Sequence, residues 1–246
     1  MKALVLAAGY ATRLYPLTLN KPKALLEIKG KTILDHILDK LEPVKEVEEI
    51  LVVTNNKFSL AFEQWAGERK TSKPLKIIND TTMGEEDRLG AVGDLNYVVE
   101  MEKIVDDFLV VAGDNLFQFS LQEFVDFFVR KKSSAIACRD VSDKSLIAKK
   151  YGVVELDSNQ CVVGFEEKPE NPKTSIAATA CYVFKKDDLA LLKSYLKEGN
   201  SPENAGDFVK YLLEKSGVCG FVFTEKWFDI GSFEELGRAR EEFNGE

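Results

Sequence analysis

The segment from Met1 to Lys23 constrains this chain most. After the initiator it reads K-A-L-V-L-A-A-G-Y-A-T-R-L-Y-P-L-T-L-N-K-P-K: an apolar run, a small-residue turn at Gly9, then Arg13 and Lys23 with Pro16 and Pro22 between them. A buried strand that ends in such a turn and delivers two cations to one rim suits a polyphosphate, because backbone N–H groups and fixed positive charge converge there. The apolar run stops at Gly9, too short for a secretory leader, so residues 1–11 are expected to form a first buried strand. The turn matches neither common nucleotide fingerprint. A Walker loop ending in Gly30-Lys31-Thr32 would need glycine where Leu25 stands, and the dinucleotide pattern would need glycine at Ala11. Gly30-Lys31-Thr32 is therefore read as a plain turn.

Runs rich in Val, Ile and Leu at 3–6, 50–54, 75–78 and 108–112 alternate with helix-like stretches at 32–41, 58–65, 87–101 and 121–130. Continuous apolar strands between helical periods predict a doubly wound, Rossmann-like α/β sheet with helices on both faces. Beyond about residue 133 the rhythm shortens to β-like runs at 134–138, 152–155, 161–166 and 178–184, and helices return at 187–196, 205–214 and 233–243. One domain over 1–246 is expected. A first half, about 1–132, carries the phosphate loop, and a smaller, more β-rich half, about 133–246, continues into a mixed sheet. No repeat or flexible linker divides them, and K-E-G-N-S-P-E-N at 197–204 reads as a mobile surface loop.

Composition narrows the function. The formal net charge of −8 disfavours nucleic acid or an anionic membrane as partner, so any phosphate site must be a local concentration of cations. No apolar run approaches the ~18 residues of a membrane span. Cys138, Cys161, Cys181 and Cys219 form no C-x-x-C pair and His36 is the only histidine, which argues against zinc and against a Cys/His or Ser/His/Asp nucleophile. The cysteines in strand-like runs read as small buried hydrophobes of a reducing, cytoplasmic protein. Self-association is left open.

Five motifs then fall in one order. L-A-A-G-x-x-T-R-L-x-P-L-T-x-x-x-P-K-x-L-L is followed by V-A-G-D-N at 111–115, Y-G-V-V-E at 151–155, F-E-E-K-P at 165–169 and W-F-D-I-G-S at 227–232. Across nearly the whole chain they resemble the sugar nucleotidyltransferases, the family that includes glucose-1-phosphate thymidylyltransferase. The resemblance implies that a nucleoside triphosphate and a sugar 1-phosphate are joined into a nucleotide sugar and pyrophosphate, with Mg2+ as cofactor and thymidylyl or uridylyl transfer foremost. It implies nucleotide contacts from Leu6, Ala7, Ala8, Gly9, Arg13, Lys23, Asn79, Arg88, Leu89 and Asp114. Gly152, Glu167, Lys168, Ala178 and Thr179 would meet the sugar phosphate, Asp114 and Asp229 would hold magnesium, and Arg13, Lys23, Asp114 and Lys168 would carry catalysis.

The residues bear on these roles individually. Asp114 closes a buried strand beside Gly113, at the carboxyl end where open α/β sheets bind ligands, although Asp-Asn also caps turns well. Asp229 precedes a helix that Ser232 can cap, so Asp229 is not needed there. Two carboxylates from distant parts of the chain suit a hard cation that bridges substrate oxygens and keeps its waters. Lys168 on charge alone is a solvated lysine paired with Glu166 or Glu167. Gly152, lacking a Cβ, would let the backbone approach the sugar.

The chain departs from the thymidylyltransferase pattern in places. Ala11 stands where the family often has glycine, so a left-handed backbone there would cost about 1–2 kcal/mol. Asn79 stands where thymidylyltransferases have glutamine; it can present a donor and an acceptor to a pyrimidine edge, but an acidic segment follows and the base stays open. Ala180 replaces a usual glycine, leaving the sugar open. Rival readings are a cytidylyltransferase acting on a non-sugar phosphate, a branch that commonly lacks E-E-K-P, and a non-catalytic regulatory homologue that binds nucleotide sugar. A glycosyltransferase would usually show D-x-D, which does not occur, and without hexapeptide repeats a fused acetyltransferase is not expected.

Overall fold

The structure, a computed structural model, describes residues 1–244. The opening run forms β1 (Lys2–Leu6), with Ala3, Leu4 and Val5 fully buried. After the loop comes a short hairpin, β2 (Glu27–Ile28) and β3 (Lys31–Thr32), and Thr32 then caps α1 (Ile33–Leu41). Its Oγ1 accepts from the Asp35 N–H at 3.1 Å while Asp35 Oδ2 accepts from the Thr32 N–H at 2.9 Å. That reciprocal box explains the Gly30-Lys31-Thr32 stretch without any nucleotide. There follow β4 (Glu49–Thr54), α2 (Ser59–Gly67), β5 (Leu75–Asn79), α3 (Ala91–Met101), β6 (Phe108–Ala112), β7 (Asn115–Phe117) and α4 (Leu121–Lys131). The second half comprises β8 (Ser134–Asp140), β9 (Val153–Leu156), β10 (Val162–Glu166), β11 (Ile176–Phe184), α5 (Lys186–Leu189), α6 (Leu192–Lys197), α7 (Ala205–Lys215), β12 (Val218–Phe223), β13 (Trp227–Asp229) and α8 (Phe233–Glu242).

One nine-stranded mixed sheet runs through both halves. β5, β4, β1 and β6 lie side by side and parallel. β11 is the seam: residues 181–184 pair antiparallel with β6, its other edge pairs with β8, and near Ala177 it also meets β9, which carries β10. β12 extends the sheet beyond β8 in parallel. Period-two alternation divides the core between the faces. Ala3, Val5, Ile50 and Val52 join the cluster under α1, α2, α4 and α8, while Leu4, Leu51 and Val53 join the one under α3, α6 and α7. Each fully buried aliphatic side chain contributes roughly 1.5–3 kcal/mol.

Several expectations are corrected. The helix expected over 87–101 begins only at Ala91, because Asp87 accepts from the backbone N–H groups of Met83 and Gly84 at 2.9 Å each and Gly90 sits at φ 78°. The helix expected over 187–196 is broken into α5 and α6. The short strands β7 and β13 and the edge strand β12 lie outside the runs that read as strands. Segment 197–204 is tied down: Tyr195 Oη donates to the Ser201 carbonyl at 2.6 Å, and the Ala91 and Val92 N–H groups donate to Glu203 and Pro202 carbonyls at 3.1 and 2.9 Å. This loop caps α3, and a Cβ on Gly90 would lie 2.5 Å from the Pro202 carbonyl oxygen. Among the described residues no helix is long and apolar enough to cross a membrane.

Candidate active site

The carboxyl ends of the parallel strands open onto a cavity of about 410 Å³. Leu6, Ala8 and Gly9 from the end of β1, Arg88, and Asp114 from beyond β6 line it on the first half's side; Gly152, Glu167, Lys168, Ala178, Thr179 and Asp229 line it from the second. A depression of about 780 Å³ shares Tyr151, Lys168, Trp227 and Asp229 with it and adds Arg13. Most residues named from the motifs therefore meet, although they come from both halves of the chain.

The first loop is built for an anion. The Ala7 N–H still belongs to the sheet and donates to the Val53 carbonyl at 2.9 Å; from Ala8 to Arg13 no backbone N–H donates to an acceptor among the described residues. Successive free N–H groups in a tight loop form a concavity for phosphate oxygens. Ala11 holds this shape at φ 50°, ψ 41°, the left-handed conformation expected to strain it. Thr18 Oγ1 donates to the Ala11 carbonyl at 2.7 Å and helps fix the turn.

Lys23 Nζ donates to Asp114 Oδ2 at 2.6 Å, and Asn115 Nδ2 donates to Asp114 Oδ1 at 2.8 Å while reaching Asp229 Oδ1 at 3.4 Å. The pairing of β13 with β7, which sets Asp229 opposite Asn115, brings the carboxylates together. Burial pushes the Asp114 carboxyl up, but the charge and hydrogen bond of Lys23, with the Asn115 bond, hold it below the usual carboxylate range. Burial and then the charge of Asp114 push Asp229 up to about 7. Ser232 Oγ accepts from the Glu235 N–H at 3.2 Å and caps α8, which leaves Asp229 free of that task.

These carboxylates fit a hard divalent cation. No group of three or more His, Cys, Asp or Glu side chains forms a metal site among the described residues. An ion here would take two protein carboxylates and draw its other ligands from water and phosphate, which is magnesium's habit.

The other cations flank this centre. Arg13 is exposed, its Nη2 lies 3.5 Å from where a Gly231 Cβ would stand, and its charge acts to lower Asp229. Lys168 adopts φ 46° and pairs with Glu167 at 3.6 Å, whereas Glu166 is taken by Lys173 at 2.8 Å. Thr179 Oγ1 donates to the Ala137 carbonyl at 2.7 Å, keeping its lone pairs as acceptors. A Cβ on Gly152 would lie 2.9 Å from the Phe165 ring and 3.2 Å from Glu167 Oε2. The glycine makes room for two side chains that themselves line the cavity, a different reason from direct contact with sugar.

Asn79, Ala7 and Leu89 do not line the cavity. The Asn79 amide donates to Asn56 Oδ1 at 2.7 Å and its Oδ1 accepts from the Thr81 N–H at 2.8 Å, so its polar atoms are engaged elsewhere; the next residue, Asp80, lines the wall instead. Arg88 reaches the wall with its guanidinium paired to Glu85 and, at 2.8 Å, to Glu203. Asp80, Asp94, Tyr151, Trp227 and Asn204 are lining residues that the sequence reading missed. Asp94 left a signal: it is a carboxylate among Val92, Leu95 and Val98, on the apolar face of α3.

A doubly wound sheet with an open N–H loop, flanking cations and paired carboxylates at its strand ends defines a nucleotide-handling α/β protein. The chain belongs to the nucleotidyl transferase family, whose model matches residues 2–245. It is 30% identical over 231 residues to the bifunctional protein GlmU of Methanocaldococcus jannaschii, covering 94% of this chain and 51% of that protein. It is 29% identical over 235 residues to the mannose-1-phosphate guanylyltransferase catalytic subunit beta of Drosophila melanogaster, covering 94% and 59%. The chain thus spans about half the length of the GlmU relative it matches. A crystal structure of UDP-glucose pyrophosphorylase complexed with UDP-glucose shares the fold, with a TM-score of 0.81 at 19% identity over 97% of this chain and 96% of that one.

Proposed function

We propose that this chain transfers a nucleotidyl group from a nucleoside triphosphate to a sugar 1-phosphate, forming a nucleotide sugar and pyrophosphate, with Mg2+ held by Asp114 and Asp229. The observation that carries the reading is the Lys23–Asp114–Asp229 cluster, set beside a loop of free N–H donors at the strand ends. The name of the Drosophila relative, a mannose-1-phosphate guanylyltransferase subunit, favours a sugar phosphate as acceptor and widens the nucleotide beyond the thymidylyl and uridylyl types.

An acceptor phosphate oxygen attacks the α-phosphorus in line, and the protein's work is positioning and charge neutralisation. The loop from Ala8 to Arg13 holds the triphosphate, and Arg13 takes the charge that grows on the departing pyrophosphate. Lys23 turns from Asp114 toward the α-phosphate. Lys168 orients the acceptor phosphate, with Glu167 and Thr179 on the sugar side. Magnesium, when bound, offsets charge on the phosphate oxygens. No general base is needed, because a phosphomonoester is already anionic near neutral pH.

The test is a pyrophosphate-release matrix of the common triphosphates against several sugar 1-phosphates, with magnesium. Release from at least one pairing supports the reading. Tight nucleotide-sugar binding without release in any pairing would instead favour a silent homologue, and release with CTP and phosphocholine alone would favour a non-sugar acceptor.

A further inference from the structure

The cavity wall between β1 and α3 holds a pair of carboxyl groups that phosphoryl chemistry does not use. Asp80, just past β5, and Asp94, in the first turn of α3, are 2% and 7% exposed, and both line the cavity. Asp80 is fastened: its Oδ1 accepts from the Thr82 N–H at 2.7 Å and from Thr82 Oγ1 at 2.8 Å, and that hydroxyl lies 3.1 Å from Tyr10 Oη. Asp94 shares a hydrogen bond with the Asp80 carboxyl, but its Oδ1 is buried with no hydrogen-bond partner among the described residues. Burial and the neighbouring Asp80 charge push Asp94 up to about 8. Arg88, on the same side of the cavity, is held by Glu85 and Glu203 instead. A native fold rarely leaves a buried acceptor without a partner, and in a cavity wall a bound ligand or water completes it.

The surroundings define the ligand's shape. Ala8, Gly9, Gly90 and Ala91 line the cavity beside this pair, and their small side chains leave room for a flat ring against backbone. Acceptors at the end of such a slot call for a ring edge rich in donors.

We infer that Asp80 and Asp94 select the nucleobase of the triphosphate and that the base they select is guanine, an inference that rests on reading this cavity as the triphosphate site. Uracil and thymine set one ring N–H between two carbonyl oxygens, which the acceptor oxygens of a carboxyl repel. Cytosine and adenine offer an amino group beside a ring-nitrogen acceptor. Guanine presents its ring N1–H and its amino group side by side, the arrangement a carboxylate accepts as a pair. The proton that the pair keeps lies in the hydrogen bond between Asp80 and Asp94, so the oxygens left over, Asp94 Oδ1 among them, face the base as acceptors.

Calorimetric titration of the whole chain with GTP, ATP, CTP, UTP and dTTP, without acceptor, tests this apart from turnover. GTP should bind at least ~10-fold tighter than either pyrimidine carrying a ring N–H, since a two-point base contact discriminates on the order of 10–100-fold. In Asp94→Asn, whose amide offers a donor where a carboxyl oxygen stood, that preference should shrink by a similar factor while UTP and dTTP binding holds or improves. Asp80→Asn serves if the first variant does not fold, and the wild-type comparison needs neither. Equal affinities, or tighter UTP or dTTP binding by the wild type, overturn the inference and leave the proposed transfer standing. GTP preference without pyrophosphate release from any pairing would have the opposite meaning: the base assignment stands and the transfer falls.

Discussion

Lys23 Nζ lies 2.6 Å from Asp114 Oδ2, a contact that ties the loop before α1 to the end of β6. Both side chains are partly screened from solvent, so this pair is more than a surface charge match, and it places a cation where an α-phosphate would compete for it. Lys23→Ala should lower kcat for pyrophosphate release by ~10²-fold or more, as expected when a charge-stabilising donor is removed. The same variant strands the Asp114 charge, and its melting temperature should fall. Wild-type turnover by a folded variant would take Lys23 out of the site.

Asp114 and Asp229 are proposed to act on one ion. Asp114→Asn and Asp229→Asn should each abolish pyrophosphate release at ordinary magnesium, and the double variant should be little worse than either single one. Additive losses in steady-state rates would mean that the carboxylates act separately.

Lys168 offers a sharper contrast. As an exposed ion pair with Glu167 it is worth ~0–1 kcal/mol, and its removal should be nearly silent. As the residue that orients the acceptor, Lys168→Ala should leave triphosphate affinity almost unchanged, raise KM for sugar 1-phosphate and cut kcat/KM by at least ~10²-fold. Acceptor kinetics measured beside triphosphate calorimetry decide between the two, and unchanged kinetics return Lys168 to the surface.

Ala11 carries left-handed strain of about 1–2 kcal/mol at φ 50°. Glycine relieves that strain but adds about 0.4–1 kcal/mol of unfolded-state entropy. Ala11→Gly should therefore stabilise the protein by a net ~0.5–1 kcal/mol in urea unfolding, with turnover retained. A destabilised variant would show that the methyl group makes a packing contribution larger than the strain.

Asp94 makes stability depend on pH in a direction opposite to that of a paired carboxylate. Its folded carboxyl titrates near 8, above its unfolded value of about 4, so the folded state holds the proton more tightly. The associated stability is fully present below about pH 4 and is lost as pH rises toward and through 8. Thermal unfolding of the free protein should show a lower melting temperature at pH 9 than at pH 6, and Asp94→Asn should flatten that fall. An equally steep fall in the variant would assign it to other groups.

Much of this was legible in the sequence. The apolar runs that became β1, β4, β5 and β6 are nearly uninterrupted, and the motif residues Gly9, Asp114, Gly152, Lys168 and Asp229 do line one cavity. Local chemistry sufficed for these because a buried parallel strand announces itself by composition and its carboxyl end follows directly. The cap of α8 by Ser232 was readable for the same reason, since capping spans only three residues.

What the sequence determined by itself, then, was the set of elements and the strand ends where chemistry gathers; which side chains meet there was decided by tertiary structure. Successive residues at the end of β5 face opposite ways, so Asp80 enters the cavity while the Asn79 side chain bonds to Asn56, and one residue of register reverses the assignment. The late start of α3 at Ala91 and its capping by Pro202 and Glu203 bring segment 197–204 to a wall laid down more than 100 residues earlier. Asn115 reaches Asp229 because β13 pairs with β7, and Arg13 comes beside Gly231 just past that pairing. Periodicity reports which face of an element is buried; contacts between elements depend on long-range register and crossover, which no local window contains.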